Sequence, residues 1–361
     1  MIDLLVIGSG IIGTWVAYLA SQKGLSVALC EKEQNIGDGI SGRNSGVLHS
    51  GIYYPQNSIK LKHCLNGYEI GIKFFKDNQI PHIICGKLLT SGKVKTENRK
   101  TKEENIEKIF ENGKKNMLSG LTLMQNPGKQ YPGVLGDLAI HIPSTGVVDV
   151  PSYLKKLSYL CYNNGVIFLK GRKFIHKGGE YLLEGREGDI ESIEANCIIN
   201  AGGLYSDEIA NSFGLLDYKI RPNKGEYYYL KKALPYQKLV YPIPSHYSTA
   251  LGVHYTFNMA NEAYAGPNSN WALDKTDYTI ETPKKQYYDS LCNILDFYQE
   301  EDLSEGYVGL RPRLFYKGEA VTDFTIIEYP KKVIHLLGIE SPGLTSAPSI
   351  AKEIVESYVK A

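Results

Sequence analysis

The chain has 361 residues, 43% of them hydrophobic, enough for roughly two packed domains. With 40 basic and 39 acidic residues the formal net charge is +1, which argues against an extended surface for nucleic acid or anionic membrane. Its six cysteines (30, 64, 85, 161, 197 and 292) show no CxxC or His/Cys ligand spacing, so neither a disulfide framework nor a metal site is expected and a reducing, cytoplasmic setting fits.

Leu4 to Ile7 form a short apolar strand that runs straight into Gly8-Ser9-Gly10-Ile11-Ile12-Gly13. Met1 lies too close to that strand for a signal or transit peptide, and no apolar run approaches the ~20 residues of a transmembrane helix. Gly8 permits a tight turn, Gly10 the close approach of backbone to a pyrophosphate, and Gly13 close packing of helix on strand. Ile11, Ile12, Trp15, Val16, Leu19 and Ala20 recur at helical spacing, Gly24 is placed as a stop, and Ser26 to Cys30 form a second strand. Glu31 follows, 18 residues beyond Gly13, where an acid can accept a hydrogen bond from a ribose hydroxyl. Strand, glycines, helix, strand and acid in this order make a dinucleotide-binding unit, its phosphates resting on a helix N-terminus whose N–H groups and dipole favour negative charge.

Gly37 to Gly51 is a glycine-dense loop, too long for a simple connection and of the kind that carries function. Asn57 and Ser58 can cap a helix through Leu61, Leu65, Tyr68, Ile72 and Phe75, and Ile83 to Thr90 read as a strand. Lys93 to Lys115 mix both signs of charge and predict a solvated helix. From Leu138 to Val150 the pattern is again strand-like, Pro151 opens a helix reaching about Tyr162, Val166 to Leu169 form a buried strand, and a hairpin region spans Arg172 to Leu183. Cys197 to Asn200 end in Ala201-Gly202-Gly203 before a helix from Tyr205 to Phe213, a second strand-glycine-helix turn.

Between Tyr218 and Tyr329 strands rich in tyrosine alternate, interrupted by one helix near 283–299. No basic stripe accompanies the 27 tyrosines, so half-wet sheet faces explain them better than base-stacking platforms. Val333 to Leu337 form a last strand that leads through 341–346 into an amphipathic helix ending near Val359. The fold class is therefore α/β: a doubly wound, Rossmann-like domain of residues 1–85, 139–217 and 332–361, and a second, antiparallel-sheet α+β domain of residues 86–138 and 218–331.

Several stretches carry a family resemblance: Gly8 to Gly13 with Glu31, Asn44 to Tyr54 (NSGVLHSGIYY), Cys85 to Leu88, Thr145 to Asp149, Ala201 to Asp207, Gly225 to Tyr228, Leu251 to His254, Gly266 to Asn268 and Ser341 to Ser346. In this order they resemble the FAD-dependent D-amino-acid oxidase superfamily, and the chain is similar to its L-2-hydroxyglutarate dehydrogenase/oxidase group. The resemblance implies a glutathione-reductase-type FAD-binding domain. Gly8, Gly10, Ile12, Gly13, Glu31 and Lys32 would hold the ADP half, and Arg43, Asn44, Ser45 and Gly46 would run along the ribityl and ring portion. Ala201, Gly202 and the return segment Pro342, Gly343, Leu344, Thr345 and Ser346 would complete the cradle, with a helix N-terminus toward the pyrimidine edge of the ring.

Oxidation of a small 2-hydroxy acid needs a base for the hydroxyl proton, a cation for the carboxylate and a flavin to accept hydride. Histidine suits the first, and the resemblance points equally to His49 and His254. Arg311, whose planar fork suits a carboxylate, is the matching anchor, with Tyr53, Lys224, Tyr255 and Arg313 as further candidates for the substrate pocket. The family pattern has arginine where Lys224 stands, alanine-glutamine at Pro312-Arg313 and a smaller residue at Glu340; an inward Glu340 would repel a dicarboxylate. An amino-acid or amine oxidase, a non-catalytic flavin-binding protein and a nicotinamide dehydrogenase are the competing readings. The electron acceptor (oxygen, a quinone or a flavoprotein), covalent flavin attachment, oligomeric state and peripheral membrane contact leave no residue signature.

Overall fold

The computed structural model describes residues 1–93, 99–244 and 252–359. Ile2–Ile7 is the middle of a six-stranded sheet ordered Thr325–Glu328, Val333–Leu337, Ala195–Asn200, Ile2–Ile7, Val27–Glu31, Ile167–Lys170. Five of these strands are parallel, and Thr325–Glu328 is an antiparallel edge. The inner strands are predominantly apolar because both of their faces are covered. Leu4, Val6, Leu29 and Ile199 meet Trp15, Phe74, Tyr153 and Ile350 from the helices Ile11–Gln22, Ile59–Asp77, Val150–Asn163 and Gly343–Ser357. The alternate residues Leu5, Ile7, Ala28 and Ile198 pack on the other face against Phe174, Leu183 and Phe213.

Local chemistry sets where the helices begin. Ser58 Oγ accepts the Leu61 N–H at 3.1 Å, and Asp323 reaches across to accept the N–H groups of Ile59 (2.7 Å) and Lys60 (2.9 Å). Asp149 caps the helix that contains Pro151 by accepting the Ser152 N–H at 2.8 Å.

A ten-stranded, largely antiparallel sheet forms the second layer, with Leu303–Tyr316 and Tyr218–Leu230 as its long members. It continues through Ala263–Gly266, His254–Phe257, Leu239–Pro242, Lys87–Thr90, Leu138–Ile142 and Thr122–Gln125. Its one parallel pair, among the described residues, joins Leu239–Pro242 to Lys87–Thr90. Ile106 of the helix Arg99–Lys115 and Tyr287 and Leu291 of the helix Lys284–Leu291 cover it.

Several elements differ from the sequence pattern. The single strand read over 83–90 is two, His82–Ile83 and Lys87–Thr90, because Gly86 turns the chain at φ +76° and sends the halves to different sheets. Leu138–Ile142 joins the antiparallel sheet and Thr325–Glu328 the parallel one, each crossing the domain boundary that the pattern suggested. Strand partners are chosen by distant pairing that local alternation does not encode. The helix near 283–299 stops at Leu291, the charged helix begins at Arg99 with 94–98 outside the described residues, and the last helix ends at Ser357.

Gly13 and Gly67 are among the glycines that bring backbones into contact. A Cβ on Gly13 would lie 1.9 Å from the Gly8 carbonyl oxygen, and one on Gly67 would lie 2.3 Å from the Thr345 carbonyl oxygen. The Gly67 contact seats the helix Ile59–Asp77 against the first turn of Gly343–Ser357 and so fixes where that turn points. Gly67→Ala is expected to destabilise the fold by about 1–3 kcal/mol through forced separation of the two helices, read by chemical denaturation.

Candidate active site

A cavity of about 1790 Å³ starts at the carboxyl ends of the parallel strands, at Ile7, Cys30 and Ala201, and reaches the large sheet at Asn223, Tyr241, His254 and Arg311. Ligands of open α/β sheets bind outside such strand ends. At this end Gly8 has φ +99°, and a Cβ there would stand 2.5 Å from the Ala201 carbonyl oxygen, so the two strand-to-helix turns touch backbone to backbone. Ser9 donates to the Glu31 carboxylate through its N–H (2.9 Å) and hydroxyl (2.8 Å), holding the acid on the cavity wall. Gly10, Ile12 and Gly202 line the same wall, and the Lys32 ammonium lies 3.5 Å from the centre of the Tyr205 ring.

The glycine-rich loop folds over the helix start, where Ser41 Oγ accepts the Ile11 N–H at 2.9 Å. Asn44 braces it, donating to the Ser41 carbonyl at 2.7 Å and accepting the Gly46 N–H at 2.8 Å. Arg43 stacks on Tyr278 at 4.3 Å, and Ser45 lies on the wall, while Gly46 turns the chain at φ +66° away from the cavity. In the return segment Pro342, Gly343 and Leu344 reach the cavity. Thr345 and Ser346 stand behind them: Thr345 Oγ1 accepts the His49 N–H at 3.0 Å, and Ser346 is fully buried. Glycine turns that a Cβ would fill, a helix N-terminus and an acid at the ribose position fit the extended dinucleotide FAD.

At the far end His254 is buried, stacked on Tyr241 with ring centres 3.7 Å apart, and its Nδ1 donates to the Gly252 carbonyl at 2.8 Å. A carbonyl only accepts, so Nε2 is the ring's acceptor atom. His49 presents Nε2 to Ser341 Oγ at 3.1 Å. Burial, reinforced by the charge of Lys87, pushes His49 down to about 3; burial does the same to His254, which also feels Lys87, His49 and Arg311. Both imidazoles are therefore neutral at pH 7.

The Arg311 guanidinium is anchored by neutral acceptors: Nη1 donates to Asn223 Oδ1 (2.8 Å) and the Lys224 carbonyl (3.4 Å), Nη2 to the Asn268 carbonyl (3.0 Å). No carboxylate among the described residues pairs with it, so a fixed positive charge meets the cavity without a counter-ion.

Other candidates are placed differently from the sequence reading. Lys224 is fully buried, off the cavity wall, and bound to Asp277 (3.0 Å) and Glu281 (3.1 Å). Tyr255, next to His254 on the same strand, points to the opposite face, as alternation requires; its hydroxyl accepts the Leu234 N–H at 3.0 Å within the antiparallel core. Arg313 lines the cavity, but its Nη1 is bound at 2.7 Å to Glu340 Oε1, which also takes the Lys60 ammonium at 2.9 Å. Glu340 does face inward, with its charge answered by two cations. Tyr53 lines the wall, and behind it stands Lys87, 4.8 Å from its ring centre, which sequence reasoning passed over. A lysine heading the apolar run Lys87-Leu88-Leu89 was the signal available.

A dinucleotide cleft at a parallel sheet, walled by an antiparallel sheet that presents a neutral histidine and an arginine with no carboxylate partner among the described residues, is the architecture of a flavoprotein oxidoreductase. The DAO family model, FAD dependent oxidoreductase, matches residues 3–357, and the chain belongs to this family, whose cofactor is FAD. The chain is 31% identical to the L-2-hydroxyglutarate dehydrogenase of Indibacter alkaliphilus, with 99% of each chain covered. It is 29% identical to the mitochondrial L-2-hydroxyglutarate dehydrogenase of Arabidopsis thaliana, over 99% of this chain and 84% of that one. Among solved structures, the dithionite-reduced, FAD-bound L-alpha-glycerophosphate oxidase of Mycoplasma pneumoniae has the same fold, with TM-score 0.87 and 22% identity over 98% and 94% of the two chains.

The half-buried His49 and the buried His254 make folding stability depend on pH. The unfolded chain binds protons at His49 and His254 near the ordinary value of 6.5, whereas the folded chain resists them to about 3, so stability is full above 6.5 and falls as pH drops through that window. Urea denaturation over a pH series is expected to show this slope, and His49→Gln with His254→Gln to reduce it, leaving the part that His63, His141 and His335, also held down by burial, contribute.

Proposed function

We propose that this FAD-dependent oxidoreductase converts a small 2-hydroxy acid into the 2-oxo acid, with L-2-hydroxyglutarate the first candidate. The supporting observation is the pairing of an unanswered Arg311 charge with a neutral His254 whose proton sits on Nδ1. In this reading the parallel sheet and its helices carry the cofactor, and the antiparallel sheet, with Tyr53, supplies the substrate wall.

Arg311 takes the carboxylate by its planar fork and orients the neighbouring hydroxyl. His254 Nε2 accepts the hydroxyl proton. The arriving carboxylate adds negative charge near a ring otherwise surrounded by Lys87 and Arg311, and so raises its proton affinity when substrate is present. His49, with Nε2 on Ser341, serves to orient rather than to deprotonate. Bound FAD supplies the acceptor for the hydride that leaves the substrate carbon. Gly343 and Leu344 place the N-terminal end of the last helix on the cavity wall, where its dipole favours negative charge in the cleft.

Relatives named L-2-hydroxyglutarate dehydrogenase at 28–31% identity support the substrate class. A second reading, oxidation of a hydroxyl beside a phosphate ester such as glycerol 3-phosphate, draws on Glu340: with Lys60 and Arg313 both paired to it, one anionic group on Arg311 is better served than two. A cytoplasmic location suits six free cysteines, and no helix among the described residues is long and apolar enough to cross a membrane.

Anaerobic mixing with L-2-hydroxyglutarate, L-lactate, glycerol 3-phosphate, glycine and D-alanine tests the reading. Bleaching of the flavin by L-2-hydroxyglutarate is expected; bleaching by the amines alone would overturn it, and by glycerol 3-phosphate alone would select the second reading. His254→Gln is expected to slow reduction by about 10²–10⁴-fold, the usual worth of a general base. Arg311→Met is expected to weaken substrate binding by about 10–150-fold through loss of charged hydrogen bonds, with flavin retained.

A further inference from the structure

Among the described residues, three lysines are almost wholly shielded from solvent: Lys60 (9% exposed), Lys87 (1%) and Lys224 (0%). Lys60 and Lys224 each hold a carboxylate within 2.9–3.1 Å. Lys87 holds none. Among the described residues its ammonium has neither an ion pair nor a hydrogen-bond acceptor, only the ring faces of Tyr53 and Tyr241, whose centres lie 4.8 and 4.6 Å away. Its strand is paired on both sides, with Leu239–Pro242 and Leu138–Ile142, so the backbone cannot carry the side chain out to water.

A bare ammonium in such surroundings is strongly disfavoured, and aromatic faces offset only part of the loss. The groups that feel its charge are His49, His254 and Cys64, and none is an anion at neutral pH: the histidines are held down to about 3 and the thiol is pushed up to about 12 by burial. Burial accordingly pulls Lys87 itself down to about 7. Tyr53 and Tyr241 both form cavity wall, and Tyr241 stacks on His254. Below about pH 7 an unanswered cation therefore stands one ring behind the surface that the substrate meets.

We propose that Lys87 is the buried counter-cation of the substrate site, a positioning residue that draws an anionic substrate onto the Tyr53–Tyr241 wall while Arg311 makes the direct contact. The inference rests on the reading of the cavity as a receptor for a small organic anion. With little water between, the field of Lys87 crosses the rings weakly screened, and it biases where negative charge settles. It also explains why a charge so costly to bury stands in the sheet: the loss in stability is offset only when the anion arrives.

The test compares the FAD-loaded protein with Lys87→Met, of similar shape and no charge, and Lys87→Arg, which keeps the charge. Thermal melting is measured without added anion, and 2-oxoglutarate and glycerol 3-phosphate are titrated by the change in flavin absorbance. Lys87→Met is expected to melt about 2 °C higher than the parent, and to bind the anion about tenfold more weakly. Lys87→Arg is expected to keep the parent's affinity. A lower melting point for Lys87→Met, unchanged anion affinity, or a loss in Lys87→Arg equal to that in Lys87→Met would overturn the proposal. Failure of the functional reading looks different: neither compound then perturbs the parent's flavin, and the Lys87 proposal falls with it, whereas parent binding that Lys87→Met leaves unchanged overturns the Lys87 proposal alone.

Discussion

The contact on which the rest of the molecule depends is between two backbone turns. Gly8 leaves the first strand, Ala201 leaves the neighbouring parallel strand, and the two meet so closely that a Cβ on Gly8 would stand 2.5 Å from the Ala201 carbonyl oxygen. Gly13 then lets the first helix settle on the Gly8 carbonyl. From this crowded point the helix N-terminus, the acid Glu31 and the loop anchored by Ser41 all take their positions, and the cleft begins. The other end is fixed by an analogous approach, Gly67 against Thr345, which aims the start of the last helix into the same cavity.

Charge distribution then separates support from function. Lys224, Lys60 and Arg313 sit against carboxylates, as shielded cations ordinarily must. Arg311 and Lys87 have none among the described residues, and they flank the neutral His254. A site with excess fixed positive charge and a deprotonated imidazole is prepared for an anion that must also give up a proton.

The nucleotide half was readable in the sequence because its chemistry is local: the glycines, the apolar strands and Glu31 each act within one βαβ unit. The wall facing it was readable only in part. His254 and Arg311 were reached through a family resemblance, whereas Tyr255 was misplaced because its burial follows from which face of the strand its neighbour uses. Lys224 looked like a substrate cation until Asp277, 53 residues away, was found against it. The swapped strands Leu138–Ile142 and Thr325–Glu328 show the same limit, since alternation predicts a strand without naming its partner. Lys87 escaped notice because its importance lies in what does not surround it, a property that only three-dimensional packing reveals.

A crystal structure of the FAD-loaded protein with 2-oxoglutarate would show where the dinucleotide and the acid lie. The diphosphate is expected against the Gly10–Ile12 turn, and a carboxylate of the acid within hydrogen-bond distance of the Arg311 guanidinium, on the wall that holds His254. A carboxylate bound elsewhere, with Arg311 still facing only its neutral acceptors, would contradict this placement.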